Sequence, residues 1–306
     1  MARLNYPQQP LTLDYVKQAH LKYAFVGPAL IVLIALNVFP LLFNIWLSFT
    51  DAELSSGTSA WIGTSNFTRI FDEPRYAEAI RTTGLFVAAA VSIELLLGYT
   101  LAFCLQGAFR GKPVVLTLLL IPMMLSPAVM GLYWHAILSG HFGVLNQILA
   151  AAGFAQPQWL TDPDLKLISI LLIDVWMWTP FMMLISLAGL NAIPVHLYEA
   201  ARIDRASPWT IFRRITLPLS TPLIFLAILF RSTDALKQFD LVMAVTGPND
   251  AATQTLSALL YQTVFRSYKV GLGAAYGLVV LVVVVAISSV FIRYIQSFQQ
   301  NQGRIV

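Results

Sequence analysis

The chain has 306 residues, of which 58% are hydrophobic and 11% are charged, and it carries a net charge of +4. Soluble domains carry about 25% charged residues, so a soluble protein of this length could not cover its surface, and the composition predicts a membrane protein. The single cysteine, Cys104, allows no disulfide within the chain.

Six apolar runs, each about 20 residues long, predict membrane-spanning helices. In chain order they cover about residues 23–49, 83–106, 114–138, 167–190, 219–245 and 271–295. Proline interrupts several of the runs, which a membrane bundle tolerates because neighbouring groups satisfy the carbonyls that proline leaves free. We therefore expect an all-α membrane protein with a single transmembrane domain over residues 1–306.

Basic residues predict the orientation, because the cytoplasmic segments of membrane proteins carry an excess of lysine and arginine. If the N-terminal segment 1–22 lies in the cytoplasm, the inside segments hold eleven basic residues against three acidic ones, and the outside segments hold six against eight. Both termini are then expected in the cytoplasm. No soluble region clusters basic and aromatic residues, so the basic surplus reflects topology and no nucleic-acid partner is expected.

Two features lie in or near the external segments. The sequence WIGTSNF, residues 61–67, combines the turn residues Gly63 and Asn66 with aromatic side chains suited to the membrane interface, and an interfacial anchoring loop is the favoured interpretation. His135 and His141 lie near the outer end of the third span without a companion at metal-ligand spacing, so interfacial packing is expected for both.

Two acidic residues lie inside the second and fourth spans, where a buried charge is costly and indicates a functional role. Glu94 has no partner along its own helix and is expected to bridge to another span. Asp174 precedes Trp176 and Trp178, and a carboxylate beside aromatic rings is typical of sugar-binding sites. Two interpretations remain open: Asp174 and Trp178 contact a substrate, or the tryptophans belong to the interfacial belt or to helix packing.

A polar, basic stretch, EAARIDRASPWTIFRRITLP, begins at Glu199 and separates the fourth and fifth apolar runs. Ser207 suits the N-cap of a helix and Pro208 its first turn, so the loop 191–218 is expected to form two short helices joined by a turn. The two alanines after Glu199 are small enough to let the backbone of another protein approach closely. The residues alone leave an alternative, which is an amphipathic helix lying in the membrane interface.

Charged residues recur along the fifth span. Arg231, Asp234 and Gln238 cover a narrow arc at 100° per residue, and Arg231 lies ~15 Å from the cytoplasmic end of the predicted span at 1.5 Å per residue. One interpretation is that these three side chains line a path through the membrane and contact solute hydroxyls. The alternative is that they form ion pairs and bridges between helices.

The loop resembles the EAA loop of the permease subunits of bacterial ABC importers, whose usual form is EAA, three residues, Gly, and then an I-x-L-P close. The matching residues are Glu199, Ala200, Ala201, Asp204, Ala206, Phe212, Ile215, Leu217 and Pro218. Further similarities are Phe39-Pro40 and residues 47–49 in the first span, residues 61–67, Ile121-Pro122 with Pro127, and residues 176–180. Arg205 occupies the usual Gly position, so the turn there requires a different backbone geometry or an unfavourable φ.

This resemblance implies the type I ABC importer fold, with six transmembrane helices and a cytoplasmic coupling helix in the EAA loop between spans 4 and 5. It implies an ATPase-coupling surface made of Glu199, Ala200, Ala201, Asp204, Arg205, Ala206, Trp209 and Phe212. The translocation-path candidates are Arg231, Asp234, Gln238, Asp174 and Trp178.

The pattern is most similar to the carbohydrate uptake class, whose members import di- and oligosaccharides or glycerol phosphates. The expected role is therefore a sugar permease that couples closure of an ATPase to alternating access. The expected partners are a second related permease, two ATPase subunits, an external sugar-binding protein and the lipids of the bacterial inner membrane.

No catalytic residue, cofactor or metal is expected in this chain. A P-loop needs G-x-x-x-x-G-K-[ST], whereas the nearest candidate, GAFRGKP at residues 107–113, has three residues between the glycines and Pro after the Lys. ATP-Mg is therefore expected to bind the partner ATPase subunits. Two other function classes are less well supported: the two halves do not visibly repeat, as they often do in ion-coupled transporters, and the residue patterns of a membrane enzyme are missing.

Overall fold

The structure, a computed structural model, describes residues 23, 25–57, 59–140 and 142–302. The N-terminal segment 1–22 and His141, for which expectations are given above, lie outside the described residues. Within the described ranges the chain is helical, and its only β pairing consists of two isolated bridges, Thr50 with Trp61 and Glu53 with Lys269.

Helices account for most of the described chain. In chain order they are α1 (Phe25–Ser48), α2 (Ser65–Asp72), α3 (Pro74–Leu105), α4 (Lys112–Met124), α5 (Pro127–Ile137), α6 (Val144–Ala151), α7 (Pro163–Asn191), α8 (Val195–Ile203), α9 (Pro208–Ala235), α10 (Asp240–Val245), α11 (Leu256–Tyr261) and α12 (Val270–Gln302). Five of them, α1, α3, α7, α9 and α12, are long and apolar enough to cross a membrane, and α4 with α5 forms a sixth, bent candidate. The predicted all-α membrane fold is confirmed.

The third predicted span is broken rather than straight. Helices α4 and α5 meet at a bend of 95°, and the two residues between them, Leu125 and Ser126, are extended. Pro127 causes the break, because the ring of a proline disfavours helical geometry in the residue before it. Pro127 itself lies in the first turn of α5, where its missing N–H costs nothing.

The fifth predicted span, 219–245, was wrong at its C-terminal end, because the helix that contains its start stops at Ala235. Helix α9 begins at Pro208, inside the polar loop, and ends at Ala235. Residues 236–239, here named the helix break, separate it from α10. The length of an apolar run predicts where a chain can cross a membrane. The helix itself extends beyond the run or ends within it, according to its caps and side-chain contacts.

The bundle is organised around α3 and α7, which pack along most of their lengths. Their close approach depends on Gly98, because a Cβ there would lie 2.6 Å from the Cβ of Met182. Helices α4, α9 and α10 also contact α7, and α12 contacts α1 and α9. The most apolar stretch of α1 has no buried residue within this chain, which leaves its surface for lipid or another subunit.

At the end of the bundle where α9 stops, the short helices α5 and α10 pack against each other. A Cβ on Gly131 would lie 2.5 Å from the Cβ of Ala244, so the two backbones are in close contact. His135 donates from Nδ1 to the carbonyl of Val245 at 2.9 Å. The packing predicted for His135 is thus between two helices of this chain.

Candidate functional site

The loop 191–218 contains two helices joined by a turn, as the sequence predicts. Helix α8 is followed by Ser207, whose side chain accepts a hydrogen bond from the N–H of Thr210 at 3.2 Å and caps α9. The second helix is not a separate short element, because α9 continues through a π-helical segment, Phe212–Thr216, into the membrane span. Pro218 therefore lies inside a helix rather than at the end of the loop.

The turn between the two helices has the geometry that favours glycine, although Arg205 occupies it. Arg205 has φ of +53°, the unfavourable alternative of the two that the sequence left open. Its N–H donates to the carbonyl of Arg202 at 3.1 Å, and the N–H of Ala206 donates to the carbonyl of Ala201 at 2.9 Å. These two bonds form a Schellman motif, which normally has glycine at this position.

The eight predicted coupling residues differ in exposure. Five are exposed, namely Glu199, Ala200, Asp204, Arg205 and Trp209; Ala206 and Phe212 are half-buried, and Ala201 is buried in its own chain. Two apolar side chains that the sequence did not single out, Val195 and Ile203, are 67% and 82% exposed. The loop therefore presents an apolar surface mixed with charges.

Aromatic contacts attach this loop to the bundle. The ring of Phe212 packs edge-on against Tyr99 and Phe103 of α3, with centroids 6.3 and 6.2 Å away, and stacks on Trp209 at 5.7 Å. The hydroxyls of Tyr198 and Thr216 lie 3.2 Å apart and connect α8 to α9. A cavity of about 660 Å³ separates the end of α3 from the loop, and its lining includes the side chains of Glu199 and Arg202.

Three of the five predicted path residues, together with Glu94, form a buried polar network, defined here as Glu94, Asp174, Arg231 and Gln238. The guanidinium of Arg231 binds Glu94 through two parallel hydrogen bonds, Nε to Oε2 at 2.8 Å and Nη2 to Oε1 at 3.0 Å. Nη2 also donates to Asp174, and Nη1 lies 3.4 Å from a carboxylate oxygen of Asp234. One arginine thus joins α3, α7 and α9.

Gln238 and Trp178 complete the surroundings of the network. The Nε2 of Gln238 donates to Oδ1 of Asp174 at 2.7 Å, and the ring centroid of Trp178 lies 5.2 Å from the guanidinium carbon of Arg231, within cation–π range. Gln238 was predicted on a helical arc with Arg231, but it lies in the helix break and reaches the network from there.

The structure brings all five path candidates together and adds Glu94. Glu94 and Asp174 are fully buried and Arg231 is 1% exposed, whereas the side chain of Asp234 is 55% exposed. Glu94 bridges to another span as predicted, but the sequence could not name its partner 137 residues away. Arg231 lies one turn before the end of α9, and therefore closer to the helix break than its predicted depth implied.

A network of this kind satisfies charges that the membrane interior would otherwise penalise. Every guanidinium nitrogen of Arg231 has a carboxylate partner, which accounts for its near-complete burial. Of the two interpretations that the sequence left open, the geometry of Arg231 and Asp174 matches the one in which they bridge between helices. Asp234 and Gln238 lie at the edge of the network, and of the three carboxylates that contact Arg231 only Asp234 is exposed in this chain.

Comparison with known families gives a match over residues 23–299 to the model described as binding-protein-dependent transport system inner membrane component. This range includes the loop 191–218, the buried polar network and the membrane-spanning helices described above, except for the last three residues of α12.

Curated relatives align over nearly their whole length. The trehalose/maltose transport system permease protein MalF of Thermococcus litoralis is 31% identical, covering 90% of this chain and 94% of the relative. The trehalose transport system permease protein SugA of Mycobacterium tuberculosis is 32% identical, with 90% and 89% covered. The sulfoquinovosyl glycerol transport system permease protein SmoG of Agrobacterium fabrum is 33% identical, with 89% of each covered.

Solved structures have the same fold. A chain of a bacterial ABC transporter involved in the import of the acidic polysaccharide alginate superposes with a TM-score of 0.82 at 22% identity, covering 93% of this chain and 98% of that one. A chain of the alginate transporter in complex with a periplasmic protein that holds alginate pentasaccharide gives 0.80 at 21% identity, with 92% and 96% covered. The type I importer fold expected from the sequence is confirmed.

Proposed function

The chain belongs to the binding-protein-dependent transport system inner membrane component family, and we propose that it couples the ATP cycle of a partner ATPase to the movement of a di- or oligosaccharide across the membrane. It is a permease subunit, and ATP-Mg binds the partner. Its loop 191–218 contacts the ATPase in the cytoplasm, and both termini lie on that side, as the basic residues favour.

One observation carries the coupling proposal. Helix α9 runs without a gap from Pro208 in the loop to Ala235 beside the buried polar network. Its 28 residues span ~42 Å at 1.5 Å per residue. A displacement of the loop by an ATPase would therefore be transmitted along one continuous helix to Asp234, which is proposed to line the path.

The exposed surface of the loop favours the proposal that the loop binds another protein. Ile203 and Trp209 are 82% and 67% exposed, and exposed apolar side chains of this kind mark interaction sites. Glu199 and Arg205 lie exposed on the same loop and provide charges for orientation. Phe212, packed on α3, makes the loop and the second span move together.

The family membership supports the remaining partners. A second related permease, two ATPase subunits and an external sugar-binding protein complete the assembly that we propose. The named relatives transport trehalose, maltose or sulfoquinovosyl glycerol, which supports a sugar as the substrate. The exposed apolar surface of α1 provides contact with lipid or with the second permease.

We place the sugar path along the exposed edge of the network. Asp234 and Gln238 offer a carboxylate and an amide to sugar hydroxyls. Arg231 and Asp174 bind these two side chains, and Trp178 packs on Arg231. In the cycle that we propose, ATP binding closes the ATPase dimer, the loops of the two permeases approach each other, and the path opens to the outside. Hydrolysis then restores the inward-open form.

The first experiment is purification from host membranes in mild detergent, followed by mass spectrometry of the proteins that accompany the chain. We expect a second permease and a P-loop ATPase. The variant Glu199→Lys is expected to purify without the ATPase and without ATPase activity. The control Glu78→Lys makes the same charge reversal on an exposed residue of α3, at the end of that helix away from the loop, and is expected to keep the bound ATPase and its activity. Recovery of the chain alone would favour ion-coupled transport, for which broken helices are also typical.

A further inference from the structure

Gln238 makes one hydrogen bond within the helix break and contacts two other parts of the chain. Its side-chain amide donates to Asp174 of α7 at 2.7 Å, and its side-chain oxygen accepts from the N–H of Phe239 at 3.1 Å. Its main-chain carbonyl accepts from the hydroxyl of Thr255 at 2.9 Å. A single residue thus connects the end of α9 to the fourth span and to the segment before α11.

The Thr255 contact continues to the second span. Thr255 caps α11, with its hydroxyl oxygen accepting from the N–H of Ala258 at 3.3 Å. The next residue, Leu256, donates its N–H to the hydroxyl of Thr83 of α3 at 3.0 Å, and Thr83 is 1% exposed. The helix break is therefore anchored on both long central helices.

The short helix α10 starts directly after the break and packs on α5, which itself follows the 95° bend. Gly131 and the hydrogen bond from His135 to Val245 hold these two helices as a pair. A rearrangement that moves the pair away from α7 while α9 stays in place must change the dihedral angles of the helix break. Gln238 is the residue of that break whose side chain reaches a buried carboxylate.

We propose that Gln238 is a positioning residue, whose bond to Asp174 holds the helix break and the α5–α10 pair in place until transport requires them to move. Asp174 is a firm anchor because Arg231 also binds it and Glu94 in turn fixes Arg231. A hydrogen bond to a charged group is stronger than one between neutral groups, yet it can be broken and remade within a cycle. The role in transport depends on the function proposed above, but the role in holding the break does not.

Thiol labelling tests the positioning role in the permease itself. In a Cys104→Ser background, Ala235→Cys places a thiol at the last residue of α9, where the side chain is 1% exposed. A membrane-impermeant maleimide is expected to label it slowly, and Gln238→Leu is expected to raise the rate about tenfold, because the lost bond involves a charged acceptor. Gln147→Leu, the same change on exposed α6, leaves the rate unchanged.

Exchanging donor and acceptor separates a specific bond from general packing. Gln238→Glu places a carboxylate against Asp174, so labelling and ATPase activity without a binding protein are both expected to rise about tenfold. Adding Asp174→Asn restores the bond in the reverse direction, since the new amide donates to Glu and its oxygen still accepts from Arg231. The double variant is then expected within about threefold of the parent rate.

The possible results separate the two proposals. An unchanged labelling rate in Gln238→Leu, or a double variant no closer to the parent than Gln238→Glu, overturns the positioning role. If Gln238→Glu does not accumulate, the labelling rate of Gln238→Leu decides. Labelling that responds as expected in a protein that purifies without an ATPase keeps the positioning role and rejects the importer function.

Discussion

The loop 191–218 and the buried polar network lie at opposite ends of α9 and follow opposite physical rules. The loop leaves Ile203 and Trp209 uncovered and keeps its shape through local hydrogen bonds between neighbouring residues. The network buries its three charged members, Glu94, Asp174 and Arg231, and depends on side chains far apart in the sequence. A surface that recognises a partner is made from groups that the fold does not satisfy, whereas a membrane interior requires that every charge be satisfied.

This contrast predicts that removing a buried charge of the network destabilises the fold, whereas changes at the exposed edge of the network and in the loop have smaller effects on stability. The four predictions below test this contrast, in order of expected size.

The largest effect is expected from Glu94→Ala. It leaves Arg231 buried without its bidentate partner, and breaking a buried ion pair from one side costs about 3–5 kcal/mol. We expect a lower unfolding temperature and less protein in the membrane. Glu78→Ala, on an exposed site of the same helix, is the control, and equal unfolding temperatures for the two variants would contradict the role of the network.

The next effect concerns the attachment of the loop. Phe212→Ala removes the ring that packs on Tyr99 and Phe103. Burial of half a ring of this size stabilises the contact between the loop and α3 by about 2 kcal/mol. We expect the ATPase to co-purify while ATP-driven uptake falls at least tenfold, because the loop no longer moves α3. Phe109→Ala, on an exposed ring at the same end, should keep normal uptake. Loss of ATPase binding instead would place Phe212 in the docking surface itself.

A smaller effect is expected at the exposed edge of the network. Asp234→Asn keeps the shape of the side chain but removes the charge proposed to contact the sugar. Uptake should therefore fall several-fold, which corresponds to a loss of about 1 kcal/mol of interaction free energy with the sugar. The unfolding temperature should change little, because this side chain is 55% exposed. Asp164→Asn, on an exposed residue of α7, provides the comparison. A large loss of stability in Asp234→Asn would assign it to the fold rather than to the path.

The smallest effect, with the opposite sign, is expected at the turn of the loop. Arg205→Gly relieves a positive φ and should stabilise the protein by about 1 kcal/mol, measured by thermal unfolding in detergent. Arg202→Gly, inside the last turn of α8, should instead destabilise it by about 1 kcal/mol. If Arg205→Gly is more stable but stimulates the ATPase less, the arginine contacts the partner, and the strained turn serves that contact.

The sequence alone determined the features that depend on local composition. Apolar length identified the membrane spans except for the end of the fifth, Ser207 and Pro208 identified the start of α9, and Arg205 in the usual glycine position marked a turn for which two geometries remained open. Each of these depends on residues within one or two turns of each other, so the physics that decides them is present in a short stretch of chain.

Only the tertiary structure decided how distant residues meet. Periodicity placed Gln238 on a helix that in fact ends at Ala235, and the side chain reaches Asp174, 64 residues away, from the helix break. The sequence showed Glu94 but did not identify Arg231 as its partner. An ion pair between spans depends on how the helices pack and not on residue spacing along either helix. Charges buried in a membrane must find each other in space, and the packing of α3, α7 and α9 determines which of them do.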